Sequence, residues 1–351
     1  MKRVLIIGAG GFIGGFIARE SLRRGYDTWC GVRPSTSRRF LTDPKLHFVE
    51  LDYDTPSAMA RQLREALPEG ERWDWIVYNL GATKVMVYSD FNRINYQYLK
   101  NTLDALRSAD MMPARFLYMS SLSALGPCDE RTYEPYRAGM IPCPDTRYGT
   151  SKIKAETALE STPGLNWIIF RPTGVYGPHE QDYLMMVKCI DRHWDFGVGF
   201  RKQLLTFIYV EDLATAIFEA LEHGKTGKKY IISEPRAYTQ SEFRKIVARE
   251  LGGKWVIPVR LPLWMAKIAS VVAEKYGVFK MRPSTLNTDK YKIMKQRNWN
   301  ADPSEAEADF GFVAAHSLEE GMRLTIEAYR RDMEETRAAR KASKAGKGGA
   351  R

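Results

Sequence analysis

The chain has 351 residues, 44% of them hydrophobic, and a formal charge of +11, which is enough apolar material for one large two-part domain or two ordinary ones and excludes a chain without a core. Six cations from Arg337 to Arg351 follow the last acidic residue, Glu335, so the rest of the chain carries only about +5. With no recognition helix, Cys/His metal cluster or basic stripe among aromatics, neither nucleic acid nor a metal is expected, and Cys30, Cys128, Cys143 and Cys189 read as free thiols in a reducing compartment.

Met1-Lys2-Arg3 and the apolar run 4–18 imitate a signal peptide, but five glycines inside the run argue against one. Short β-branched runs then alternate with segments of helical period. Residues 4–7, 28–32, 47–51, 75–80, 116–119 and 167–170 read as strands, and 57–66, 92–108 and 148–160 as helices between them. That alternation predicts an α/β fold, a Rossmann-type doubly wound parallel sheet occupying residues 1–174. Strand-like pieces at 206–210 and 229–232 would complete this sheet, whereas 175–335 forms a smaller α/β substrate lobe with helices at 239–251, 263–274 and 317–335. Residues 336–351 read as a basic, flexible, solvated tail. The apolar stretch 261–273 is short and broken by Lys267, too short for a bilayer of about 30 Å, so a soluble, cytoplasmic protein without a membrane partner is expected.

The string Gly8-Ala9-Gly10-Gly11-Phe12-Ile13-Gly14 follows the first strand and opens the first helix. Such a turn needs glycines for positive φ, for close approach of a pyrophosphate and for tight helix–strand packing, and the helix start offers N–H groups to the phosphates. The glycines stand at 8, 11 and 14, a three-and-three spacing. The second strand ends in Arg33 rather than in an acid that would accept from ribose hydroxyls, so Arg33, helped by Arg38 or Arg39, points to a 2′-phosphate and NADP(H) over NAD(H). Asp52, closing the third strand, is placed either to accept from the adenine amino group or to form a turn.

Tyr148 and Lys152 are four apart and share a helix face. A phenol lowered by about three pH units needs roughly 4 kcal/mol of phenolate stabilisation, and an ammonium about 5 Å away at an effective dielectric near 20 supplies about 3 kcal/mol. The same spacing recurs at Tyr96/Lys100, Tyr276/Lys280 and Tyr291/Lys295, but only Tyr148 falls between a strand ending in serines and one ending in Arg171-Pro172, at the carboxyl ends of the sheet where ligands bind.

Gly8/Gly11/Gly14, Asp52, Gly81-Ala82, Asn95, Ser120-Ser121, Tyr148/Lys152, the run from Arg171 to Pro178 and Val210-Glu211-Asp212-Leu213 resemble, in this order, the extended short-chain dehydrogenases/reductases over nearly the whole chain. That group includes the NAD-dependent epimerases/dehydratases, the dihydroflavonol reductases and the 3β-hydroxysteroid dehydrogenases. The resemblance implies an enzyme in which Ser121 (or Ser123, two residues on) holds the reacting oxygen, Tyr148 exchanges the proton, Lys152 also holds the nicotinamide ribose and Asn95 steadies the site. It adds Phe12, Ile13, Asp52, Tyr53, Gly81, Ala82, Arg171 and Pro172 to the cofactor contacts, and implies a homodimer built on a helix bundle. Members acting on nucleotide-linked sugars usually carry Asn where this chain has Gly174 and Arg where it has Leu205. The run 171–178 looks more like the flavonoid and steroid branch, and Trp194, Phe196, Phe200, Leu263 and Trp264 are candidates for an apolar pocket, so hydride transfer with a small hydrophobic carbonyl or alcohol is expected. Arg282, before Pro283, counts towards a phosphate and keeps a nucleotide-sugar epimerase/dehydratase with tightly bound NAD as the alternative. A non-catalytic NADP-binding regulator is the third reading, opposed by the complete Ser121, Tyr148 and Lys152 set. The Pro-rich loop 126–147 is expected to lie over the site.

Overall fold

Val4, Leu5, Ile6 and Ile7 are all fully buried, which a strand achieves only when both of its faces are covered. The computed structural model, which describes residues 1–280, 284 and 286–348, covers them with helices on both sides of a seven-stranded parallel sheet. Strands β1 (Arg3–Ile7), β2 (Asp27–Val32), β3 (His47–Glu50), β4 (Trp75–Tyr78), β5 (Arg115–Met119) and β6 (Trp167–Pro172) belong to it. The chain leaves the sheet through β7 (Gly174–Tyr176), β8 (Trp194–Val198), β9 (Leu204–Leu205) and β10 (Phe207–Tyr209), then returns as β11 (Lys228–Ile232) beside β6. The order β11-β6-β5-β4-β1-β2-β3 reverses direction between β1 and β4, the place where open α/β sheets leave a crevice beyond the strand ends.

Alternate side chains of the strands feed two cores. Val4 and Ile6 point to one, made with α1 (Phe12–Arg23) and residues of the segment 210–221. Leu5 and Ile7 point to the other, made with α2 (Pro56–Ala66), the helices that follow β4 and the helix that follows β5. After β4 come α3 (Ser89–Asn92), a π-helical turn Arg93–Gln97 and α4 (Tyr98–Ser108), whose Leu99, Leu103 and Leu106 are buried, each contributing roughly 2 kcal/mol. After β5 comes α5 (Arg147–Glu160). A third core, around Tyr176, Phe207 and Phe243, belongs to a smaller lobe built on α6 (Gln181–Asp191), α8 (Gln240–Glu250) and α12 (Leu318–Gly348), while α7 (Val210–His223) packs back against α1. The lobe also holds β12 (Tyr238–Thr239), β13 (Ile257–Leu261), α9 (Leu263–Phe279) and α10 (Thr288–Lys295), with α11 (Ser304–Phe310) lying by β11.

Three segments differ from expectation. The helix over 92–108 is interrupted by the π-helical turn, an irregularity that periodicity cannot announce. Residues 206–210 give a strand of only three residues, because Val210 already opens α7, and it pairs with β7 instead of joining the seven-stranded sheet, which β11 alone completes. Helix α12 runs on to Gly348 through residues assigned by composition to a flexible tail, since Ala, Arg and Lys are strong helix formers. No described helix is long and apolar enough to cross a membrane.

Candidate active site

The glycine turn is shaped by contact as well as by torsion. Gly8 has φ +88°, and a Cβ there would stand 2.6 Å from the Leu80 backbone nitrogen, so β1 and β4 approach too closely for any side chain. A Cβ at Gly14 would lie 2.3 Å from the Gly8 carbonyl oxygen, which brings α1 down on the turn. Gly11 caps α1 without any side-chain hydrogen bond, leaving the first N–H groups facing outward, while Phe12 and Ile13 pack half-buried on the core behind. This cradle fits a diphosphate.

Beyond β4, β5 and β6 the second half of the site assembles. Asn95, wholly buried on the π-helical turn, clamps the strand-end loop: its Oδ1 accepts from the Ala82 N–H at 2.7 Å and its Nδ2 donates to the Ala82 carbonyl at 3.1 Å. Nδ2 also donates to Ser151 Oγ at 2.9 Å, and that hydroxyl donates to the Tyr148 carbonyl at 2.7 Å, so the loop after β4 and helix α5 are tied together. Gly81 lies close by: a Cβ there would stand 3.1 Å from Lys152 Nζ and 3.2 Å from Asn95 Oδ1. The N-terminus of α5 is capped twice. Thr146 Oγ1 accepts from the Gly149 N–H, and Asp289, buried on α10, accepts from the N–H groups of Arg147 at 2.8 Å and Tyr148 at 3.3 Å. Asp289, which sequence inspection misses, therefore holds the first turn of the helix that carries Tyr148.

Lys152 is buried, donates to the Met119 carbonyl at 2.8 Å, and sits 5.0 Å from the Tyr118 ring centre and 6.0 Å from that of Tyr148. Burial pushes its ammonium down to about 8, with Glu156 acting in the opposite sense. Burial also holds the Tyr148 phenol above its ordinary 10, with a hydrogen bond from Ser121 pulling it back. The expectation that Lys152 lowers the Tyr148 pKa is thus corrected for the chain by itself. A Coulomb estimate between the two groups omits the desolvation that both undergo in the same pocket. Ser121 opens the short turn Leu122–Ala124, and Ser123, the other serine considered, lines an adjacent recess with Gly126, Asp145, Thr146 and Lys292. The loop 126–147 does border this recess, pinned by Tyr136, whose hydroxyl donates to the Gly126 carbonyl at 2.7 Å.

Residues 4–233 match the model of the NAD dependent epimerase/dehydratase family. The chain belongs to that family. The match is to the NAD-dependent epimerases/dehydratases as a whole and does not single out the dihydroflavonol reductase or 3β-hydroxysteroid dehydrogenase branch. Among curated relatives, a ceramide reductase of Caulobacter vibrioides is 25% identical over 328 residues, covering 93% of this chain and 94% of that one. The fold is similar to the dTDP-glucose 4,6-dehydratase of Bacillus anthracis in complex with NAD, at 16% identity and a TM-score of 0.74, over 95% and 98% of the two chains. It is also similar to RMD of Pseudomonas aeruginosa complexed with NADPH, at 17% identity and a TM-score of 0.69, over 95% and 100%. The family and its members are enzymes that work with a nicotinamide dinucleotide.

Within this family member, several expected contacts fall elsewhere. Arg171, expected at the dinucleotide, is 0% exposed and points below the site: its Nη2 pairs with Glu156 at 2.6 Å and its Nη1 donates to the Ala138 carbonyl at 2.9 Å. Glu156 in turn accepts from Ser120 at 2.5 Å, so the Arg-Pro turn is a buried structural staple, and Pro172 alone remains at the strand end. The Tyr53 side chain lies in the core against Tyr98 rather than at an adenine site, and its carbonyl accepts from Asn101. Asp52 accepts from the Asp54 N–H at 3.0 Å, the turn-forming alternative. Trp194, Phe196, Phe200, Leu263 and Trp264 are all exposed. Arg282 lies outside the described residues. The described cysteines are free. Glu219, Glu222 and His223 bring three possible ligand atoms within 4.8 Å, but Arg24 pairs with both glutamates.

Proposed function

We propose that this chain is an NAD(P)(H)-dependent oxidoreductase that moves a hydride between nicotinamide and a hydrophobic carbonyl or alcohol. The observation that carries the reading is the convergence of Lys152, Asn95 and Gly81, with Ser121 on Tyr148, beside the glycine turn after β1. The turn from Gly8 to Gly14 would hold the diphosphate, Lys152 the nicotinamide ribose, and Gly81, Ala82 and Pro172 the neighbourhood of the ring. When bound, the dinucleotide supplies the hydride and, in its oxidised form, a positive charge. Tyr148 gives or takes the proton at the substrate oxygen, Ser121 donates a hydrogen bond to that oxygen, and Asn95 keeps α5 in register with the loop.

NADP(H) is the favoured cofactor. Arg38 is engaged with the Phe48 ring and Glu50, and Arg39 with the Phe40 ring, which leaves the exposed Arg33 as the guanidinium open to a 2′-phosphate. For the substrate, a Cβ at Gly174 would stand 2.1 Å from the Tyr183 hydroxyl, so the asparagine of the nucleotide-sugar enzymes would require Tyr183 to move. Similarity to a ceramide reductase favours a carbonyl carried on an acyl chain. The second reading, a nucleotide-sugar epimerase or dehydratase with retained NAD, draws on the family and on the similarity to a dTDP-glucose 4,6-dehydratase.

The test is consumption of NADPH, followed at the reduced-nicotinamide absorbance, with long-chain and short carbonyl compounds. Turnover should fall by about a hundredfold or more in Tyr148→Phe, with dinucleotide affinity kept. Conversion of a nucleotide sugar with no net consumption selects the second reading, and unchanged turnover in Tyr148→Phe refutes both.

A further inference from the structure

Helix α9 turns its small residues inward and its large ones outward. Ala266, Ser270 and Gly277 are buried, whereas Trp264 is 65% exposed, Ile268 56%, Val272 61% and Phe279 78%. The apolar surface continues past the start of the helix. Leu263 Cδ2 lies 3.5 Å from where a Cβ on Gly199 would be, the next residue, Phe200, is 75% exposed, and on β8 Trp194 and Phe196 stack with ring centres 6.2 Å apart and both exposed. Contiguous exposed apolar surface of this kind marks a contact with something else.

The charges threaded through it select the partner. Residues 254–280 contain five cations and one acid, Glu274. Glu274 is turned away to accept from the Thr288 N–H at 2.8 Å, while Arg260 and Lys254 pair with Asp195 and Asp191. That leaves Lys267, Lys275 and Lys280 exposed among the tryptophans and aliphatics. The core of a protein–protein interface is depleted in lysine, but at a bilayer surface lysine stems lie along the apolar layer and their ammonium groups reach the phosphates, with Trp and Tyr at the headgroup level. At 17 residues, with Lys267 and Lys275 exposed along it, α9 is too short and too charged to cross a bilayer and would lie along its surface.

We propose that α9 and the adjoining edge of β8 dock the protein on an anionic phospholipid bilayer. This surface stands on its own observations and goes beyond the reductase reading. If both hold, the apolar part of the substrate arrives from the bilayer, next to the Thr288–Asp289 end of α10 that caps the Tyr148 helix.

The experiment is flotation of the full-length protein with vesicles of phosphatidylcholine alone and of phosphatidylcholine with about a third phosphatidylglycerol, at low and high salt. The protein should float with the anionic vesicles and bind the neutral ones about tenfold less. Trp264→Glu with Phe279→Glu should lower partition by about tenfold or more, with melting temperature and NADPH affinity unchanged. Lys267→Glu with Lys275→Glu guards against a folding artefact, and should weaken binding to the anionic vesicles only. Retention in the vesicle-free fraction, or equal binding by all variants, overturns the proposal. So does a wild-type dimer that dissociates to monomers in light scattering when Trp264 is replaced by Glu, since the face would then join two copies.

Discussion

Replacing Lys152 by methionine should make the dinucleotide-free protein more stable at neutral pH while destroying its turnover. The buried ammonium titrates at about 8 in the folded protein, against 10.5 for an ordinary lysine. Between those values the unfolded chain keeps a proton that the folded chain has released, so wild-type stability rises with pH across that window. At pH 7 both states are protonated and the folded state carries the full burial cost, about 3 kcal/mol. Methionine fills nearly the same volume without charge, and the lost bond from Nζ to the Met119 carbonyl offsets about 1 kcal/mol of the gain. The variant should therefore be more stable by roughly 2 kcal/mol at about pH 7, and the difference should vanish near pH 9.5 as the wild type sheds its proton. Urea denaturation at both pH values measures this, and steady-state assays measure the activity. A variant that is less stable at neutral pH, by the same margin at both pH values, would refute the claim that this lysine is held at a cost for chemistry.

Three further outcomes are expected. Asp289→Ala exposes the N–H groups of Arg147 and Tyr148, and should cost about 1 kcal/mol in denaturation and lower kcat more than it lowers dinucleotide affinity. Arg33→Ala should weaken NADPH binding about tenfold in a fluorescence titration and leave NADH nearly unchanged; equal losses for both would remove the 2′-phosphate role. Arg171→Leu strands Glu156 in the core and should destabilise by about 3–5 kcal/mol, with much of the loss recovered when Glu156→Leu is added.

The parts of the site that share a short stretch of chain were legible in the letters. Gly8 declares a turn through both its torsion and its contacts and Gly14 through its contacts, and Tyr148 with Lys152 declares a helix face. The strands of the sheet were legible for a related reason, as fully buried runs such as 4–7 have no polar alternation to obscure them. What escaped is tertiary. Arg171 lies at a strand end that faces ligands, yet its partner Glu156 comes from the preceding helix and turns it downward. Asp289 reaches Tyr148 across 141 residues, and nothing local in Asn287-Thr288-Asp289 advertises it. The aromatics of 194–200 and 263–264 look alike whether they line a pocket or a surface, because hydrophobicity gives no direction until the small residues of α9 are seen packed inside. Desolvation of Lys152 is invisible for the same reason, since burial is a property of the fold.

The carboxylate of Asp289 belongs to the smaller lobe, but its two acceptor contacts finish a helix that belongs to the sheet. Any hinge-like parting of the lobes has to hand those two amides over to water first, and the second of them is the amide of the very residue whose hydroxyl is meant to react. A parting of the lobes would in this way loosen the first turn of that helix together with the residue that carries the phenol.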